Sequence, residues 1–163
     1  MNAEMQWKNI DEAGLVDIAK ACASTIGKSG VVFLDGDLGV GKTTFARALI
    51  AALGVGERIK SPTYSLVESY QAGNLRVHHL DLYRIADAEE LEWLGLPDLL
   101  QGDMLMLVEW PQRALAALPA ADLKLNLLHA GDRRDLVLEA ASQSGRTWMA
   151  AAALRLGRSR PDT

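Results

Sequence analysis

A three-layer α/β fold, with a mostly parallel central sheet flanked by helices and β-hairpins at its edge, is predicted by three observations. The β-prone run Val31-Val32-Phe33-Leu34-Asp35 leads straight into Gly36-Asp37-Leu38-Gly39-Val40-Gly41-Lys42-Thr43, and a helical stripe of Phe45, Leu49 and Leu53 follows at once. The middle stretch fits G-x-x-x-x-G-K-[ST], the phosphate-binding loop of P-loop NTPases, and strand–loop–helix is the context that motif requires. Met104–Val108 is a continuous apolar run, as expected of a strand covered on both faces. Two pairs of short β-prone segments separated by turn residues supply the hairpins.

In chain order, Leu15, Ile18, Ala19, Cys22 and Ile26 fall at helical spacing, with Asp11 as N-cap and Gly27 as stop. The helix after the phosphate loop runs from Thr44 to Leu53 and ends at Gly54. Ser61-Pro62-Thr63-Tyr64 is an irregular turn, because Pro62 blocks a helix and removes a donor. Leu66–Tyr70 and Leu75–Leu80 read as strands joined at Gln71-Ala72-Gly73-Asn74. Asp87 and Glu90 have the spacing of a capping box for a short helix to Leu94, closed by Gly95. Pro97 opens another short helix ending at Gly102. Leu123, Leu125 and Leu127 alternate with Lys124 and Asn126, so this strand is half exposed, and Asp135–Ala140 is its hairpin partner across Gly131-Asp132. Gly145–Leu156 is an Ala-rich helix, and Gly157–Thr163 is a polar, disordered tail. Residues 1–156 therefore read as one domain.

Composition narrows the function. A hydrophobic fraction of 49% with 23% charge is that of a globular protein able to bury a core. A net charge of −4 argues against a dedicated nucleic-acid surface. Cys22 is the only cysteine, which excludes an intrachain disulfide and suits a reducing cytosol; on an apolar helix face it reads as core rather than nucleophile. Met1–Lys8 has no apolar h-region, so it is not a signal peptide, and no run approaches the length of a membrane span.

The loop's chemistry follows from its spelling. Gly36, Gly39 and Gly41 let the backbone approach an anion, while successive N–H groups and the helix N-terminus point at it. Lys42 reaches the β- and γ-phosphates as a point charge, and the Thr43 hydroxyl sits on a Mg²⁺ bridging the same oxygens. A nucleoside triphosphate is the implied ligand. A second acidic residue must complete the metal site from a neighbouring strand end. Asp81, after Leu75–Leu80, and Glu109, after Met104–Val108, both fit, and either would position water. Ser61 and Thr63 lie in a loop suited to cover the γ-phosphate as switch segments do. His79 shares a strand face with Asp81, so it either orients Asp81 or is packed. Trp110 either stacks on a ligand or partner or is a rim aromatic. No guanine-reading Asn/Thr-Lys-x-Asp motif is present, which disfavours a GTPase.

GDLGVGKTT at Gly36–Thr44, SPTYSLV at Ser61–Val67, HLDLYR at His79–Arg84 and VEWP at Val108–Pro111, in that order, resemble the TsaE (YjeE) family. The resemblance extends to about residue 140 and is far more specific than the phosphate loop alone. It implies a cytoplasmic bacterial P-loop ATPase that requires ATP and Mg²⁺. Such a protein works with the TsaD–TsaB heterodimer in threonylcarbamoylation of adenosine 37 in tRNAs reading codons that begin with adenine. Its ATPase would be weak alone, it would be a monomer on its own, and tRNA would be met through the complex. The resemblance implies phosphate binding by Leu38, Gly39, Val40, Gly41, Lys42, Thr43 and Thr44, and Mg²⁺ binding by Thr43 and Glu109. Asp81 matches the second acidic position, and Ser61, Thr63 and Trp110 match the switch-like loop and the tryptophan. Arg133 and Arg134 lie where members carry a basic residue near the nucleotide. Val40 stands in place of the usual Ala, and Gly14 where many members have Thr, which leaves adenine contacts from this region unassigned. Two other readings share the loop: a small-molecule kinase, which needs an acceptor pocket and an arginine-bearing lid, and a binding module gated by nucleotide without hydrolysis.

Overall fold

The computed structural model describes residues 3–27, 29–56 and 58–157. Seven strands form one sheet: β1 (Glu4–Ile10), β2 (Gly30–Gly36), β3 (Val67–Ala72), β4 (Leu75–Asp81), β5 (Met104–Glu109), β6 (Leu123–Ala130) and β7 (Arg133–Ala140). Their order is β1-β7-β6-β2-β5-β4-β3, with β6, β2, β5 and β4 mutually parallel and the outer pairings antiparallel. The helices are α1 (Glu12–Ala23), α2 (Lys42–Ala52), α3 (Glu90–Trp93), α4 (Leu96–Leu99) and α5 (Gln143–Leu156).

The central strands bury both faces, as their apolar runs require. On β2, Val32 and Leu34 enter one core with α1, α2 and α5, while Val31 and Phe33 enter a second. On β5 the alternation repeats, with Leu105 and Leu107 on one side and Met104, Met106 and Val108 on the other. Leu82, Ile85, Leu91 and Leu96 close the second core from the α3–α4 segment. Cys22 lies in the first core, and burial pushes its thiol up to about 12, the signature of an inert side chain. Among the described residues no helix is long and apolar enough to cross a membrane.

Local chemistry sets the element ends, in places against the sequence pattern. Asp11 caps α1 as expected, its Oδ1 accepting from Gly14 N at 2.9 Å. The helix stops at Ala23 rather than Gly27, because Ser24 Oγ donates to the Ala21 carbonyl at 2.7 Å and Thr25 Oγ1 to that of Cys22 at 3.0 Å. The β3–β4 hairpin is tighter than predicted: strands extend to Ala72 and Leu75, leaving a Gly73-Asn74 turn with Gly73 at φ 60°. The capping box is displaced. Asp87 Oδ1 accepts from Glu89 N at 2.9 Å, but the Glu90 carboxylate reaches Ala86 N at 3.2 Å, and the helix starts only at Glu90. Pro97 is the second residue of α4, which ends at Leu99 rather than Gly102. Ser142 starts α5 two residues earlier than predicted by capping Gly145 N at 2.9 Å.

β1 is the strand the sequence reading lacks. Its burial alternates, half-covered Met5 and Trp7 between exposed neighbours, and it pairs with β7 at the sheet edge. Beyond Gly157 the polar tail lies outside the described residues.

Candidate functional site

The site opens where the carboxyl ends of β2, β4 and β5 meet the amino end of α2, as parallel sheets place their ligands. A cavity of about 330 Å³ is lined there by Leu38, Gly39, Gly41, Lys42, Thr43, Thr44, Thr63, Asp81, Tyr83, Arg84, Glu109 and Trp110. That volume suits a small-molecule ligand.

The loop's shape depends on two glycines. A Cβ on Gly36 would stand 2.6 Å from the Leu127 carbonyl oxygen, and one on Gly41 2.9 Å from Leu15 Cδ2, with φ at 148° and 122°. Both positions combine a left-handed backbone with no room for a methyl. Val40 is buried in the first core, so it offers a ligand only its main chain. The β6–β7 hairpin abuts the loop: His129 Nε2–H donates to the Leu38 carbonyl at 3.2 Å. Arg134 Nε lies 3.9 Å from a Cβ built on Gly41, is buried and has no hydrogen-bond partner among the described residues. Arg134 thus stands beside the loop without lining the cavity, and Gly14, in the first turn of α1, does not line it either.

Lys42 is held inside the loop. Its ammonium donates to the Gly36 carbonyl and lies 3.5 Å from the centroid of the Trp110 ring. Burial lowers its pKa, opposed first by Glu109 and then by Asp35 and Asp81, whose charges favour the cation. Trp110 adopts a left-handed backbone, φ 58° and ψ 48°, immediately before Pro111, a strained placement for a bulky residue. Tyr83 packs on the indole at 4.9 Å between centroids.

The two acidic candidates come together. Asp81 and Glu109 are register partners at the ends of the adjacent parallel strands β4 and β5. Thr43 Oγ1 lies 2.8 and 3.0 Å from the two Glu109 oxygens. Asp81 Oδ1 accepts from Tyr83 N at 3.0 Å. Burial chiefly, with the nearby Glu109 charge adding to it, raises the Asp81 pKa against the effect of that hydrogen bond. A hydroxyl and two crowded carboxylates form a hard, oxygen-only donor set that suits Mg²⁺, which keeps water and phosphate oxygens as its remaining ligands. Among the described residues no three His, Cys, Asp or Glu side chains gather into a metal cage.

Of the two readings of His79, orienting Asp81 or being packed, the side chain is fully buried as the second expects, and the first is corrected. The His79 Nε2 bond goes to Glu109 Oε2, at 2.6 Å. Glu109 projects across from the neighbouring strand, a contact that alternation along β4 alone does not reveal. Ser61 and Thr63 separate in role: Thr63 lines the cavity, while Ser61 stays outside it with its hydroxyl 2.7 Å from that of Thr63. Tyr70 anchors the start of this loop, its hydroxyl accepting from Lys60 N at 2.8 Å and donating to Lys60 O at 3.1 Å. Tyr83 and Arg84 are site residues that sequence reasoning passes over. Their signal is their place just past the end of β4, in the block that supplies Asp81.

A sequence profile described as "Threonylcarbamoyl adenosine biosynthesis protein TsaE" matches residues 10–136, a span that contains every residue of this site. The chain belongs to the TsaE family. A relative from Haemophilus influenzae named tRNA threonylcarbamoyladenosine biosynthesis protein TsaE is 40% identical over 124 residues, 76% of this chain and 78% of the relative. One of the same name from Bacillus subtilis is 35% identical over 129 residues, 79% and 80% of the two chains. The crystal structure of Bacillus subtilis YdiB superimposes with a TM-score of 0.80 and 28% identity, covering 95% of this chain and 97% of that one. The TsaE profile ends within β7, whereas the structural likeness extends over nearly the whole chain.

Proposed function

We propose that this TsaE-family protein binds ATP with Mg²⁺ and hydrolyses it slowly, serving threonylcarbamoylation of adenosine 37 in tRNAs that read codons beginning with adenine. It works in the cytoplasm with a TsaD–TsaB heterodimer, is a monomer on its own and meets tRNA through that complex. The observation that carries the catalytic part is the convergence of Lys42, Thr43, Asp81 and Glu109 on one cavity at the sheet's carboxyl edge. The pathway rests on family membership.

In this reading the main-chain N–H groups of Leu38–Thr44 cradle the phosphates, and Arg134 adds positive charge beside the loop. Lys42 leaves the Gly36 carbonyl and neutralises charge on the β- and γ-phosphates. The Thr43 hydroxyl and the Asp81 and Glu109 carboxylates would hold Mg²⁺, which would supply charge neutralisation at the phosphates. Glu109, held by side chains from two other elements, Thr43 and His79, is the better placed of the two carboxylates to orient the attacking water. Thr63 brings the 61–64 loop to the cavity as a switch.

Lys42→Ala tests the reading by calorimetry. ATP affinity falls at least a hundredfold, because the single phosphate-neutralising cation on the loop is gone; wild-type affinity refutes it. A hydrolysis assay with and without TsaD–TsaB then separates an ATPase from a purely nucleotide-gated module, which would bind its partner in the presence of ATP without turnover. Phosphoryl transfer to a metabolite or nucleoside panel would favour a kinase instead.

A further inference from the structure

We propose that His79 is a positioning residue for the hydrolytic step: through Nε2–H it locks the Glu109 carboxylate in the orientation that faces Thr43 and the nucleotide cavity. The proposal rests on the reading of Glu109 as a metal- and water-handling group, and deepens it.

Glu109 is 2% exposed and gathers bonds from two other elements. Thr43, in the first turn of α2, approaches both oxygens, and His79, on β4, approaches only Oε2. A hydroxyl has one proton to share between two oxygens at nearly equal distance, so Thr43 by itself does not fix which of them it holds. The imidazole breaks that equivalence. With Oε2 held by His79 at 2.6 Å, Oε1 retains free lone pairs toward Thr43 and the cavity.

A carboxylate only accepts, so Nε2 carries a proton toward Oε2, and Nδ1 is buried with no hydrogen-bond partner among the described residues. His79 is fully buried, and its Nε2 bond is directed at the carboxylate that faces Thr43. The adjacent His78 faces the other side of β4, where its Nδ1 lies 2.8 Å from Ser69 Oγ and away from the nucleotide cavity.

The test uses the full chain with His79→Gln, which presents an N–H near the Nε2 position, and His79→Asn and His79→Leu, which do not. Calorimetry with ATP in the absence and presence of Mg²⁺ gives the factor by which the metal tightens nucleotide. That factor, and kcat in the TsaD–TsaB complex, should fall roughly tenfold to a hundredfold in Asn and Leu and recover to within a few-fold in Gln, as for removal of a group that orients a metal ligand. ATP affinity without metal should change less than about twofold, set against the tenfold scale of 1.4 kcal/mol. Long-range ¹H–¹⁵N spectra of the wild type should show His79 as the Nε2–H tautomer.

An Nδ1–H tautomer overturns the proposal. So does an unchanged metal factor in Asn and Leu, or a Gln variant as defective as Leu when both melt alike. Where Leu fails to fold, the Gln-against-Asn comparison decides. Absence of any turnover by the wild-type complex would instead sink the ATPase reading, and the tautomer and the metal factor would still judge His79.

Discussion

Trp110 and Lys42 make a prediction whose sign separates two roles for the indole. The Lys42 ammonium sits 3.5 Å from the ring centroid and is only 4% exposed, so the ring covers the cation that a phosphate must reach. A cation–π contact of this kind is worth about 2 kcal/mol when desolvated. Binding a triphosphate costs that contact along with the Lys42–Gly36 hydrogen bond, while the gain is ion pairing in the loop. Trp110→Leu keeps apolar bulk over the site and removes the ring's attraction for the ammonium. The free state is then destabilised relative to the bound state, and ATP should bind tighter by about tenfold to thirtyfold, converting at 1.4 kcal/mol per decade. Calorimetry at fixed Mg²⁺ measures it directly, and wild-type tryptophan emission should change on ATP addition as the indole loses its cation. Weaker binding in the Leu variant would refute the reasoning. It would mean that the ring stacks on the nucleotide and that its contact with Lys42 is incidental.

Three further expectations follow from the same geometry. Glu109→Gln should retain metal-free ATP binding to within a few-fold, since the phosphates would rest on the loop, while hydrolysis in the partner complex falls at least a hundredfold; wild-type turnover would refute the role. Gly36→Ala should destabilise the fold by about 2 kcal/mol or more, because the new methyl meets a backbone carbonyl at 2.6 Å in a left-handed conformation, and thermal melting would read it. Asp81→Asn should raise the melting temperature of the metal-free protein at neutral pH. The folded-state pKa of Asp81 is raised, so the folded state binds the proton more tightly than the unfolded chain and wild-type stability falls as pH rises through that window. The advantage of Asn should therefore shrink as pH is lowered toward the ordinary carboxylate value of 3.8. An equal melting temperature at neutral pH would show that burial, with Glu109 beside it, does not penalise the Asp81 charge.

What the sequence made legible is what local rules determine. The strand–loop–helix around Lys42, the buried run of β5 and the paired hairpins each carry their periodicity or turn chemistry on the chain, and each was found in place. Asp81 and Glu109 were readable because a strand end in a parallel sheet is a position defined by topology, so two separate strand ends predicted one site. β1 escaped because an edge strand with only Met5 and Trp7 half-buried is barely distinguishable from a polar terminus until β7 is present to pair with it. The partner of His79 escaped for a related reason. Period-two alternation gives the face of a side chain but not what projects from the next strand, and Glu109 is long enough to cross to it.

The same limit explains why the loop motif alone understates the site. Lys42 is answered by Trp110 and Thr43 by Glu109, and those two partners are consecutive in the chain at the end of β5. Trp110 can turn back over Lys42 only because its backbone is left-handed, and Pro111 restricts how that backbone relaxes. The indole over the ammonium and the carboxylate that Thr43 and His79 hold therefore belong to consecutive residues. Phosphate access and carboxylate geometry are thus adjoining features of one short segment. A substitution at Trp110 should disturb hydrolysis as well as binding, whereas one at Gly36 should disturb the loop and leave the bonds from His79 and Thr43 to Glu109 intact.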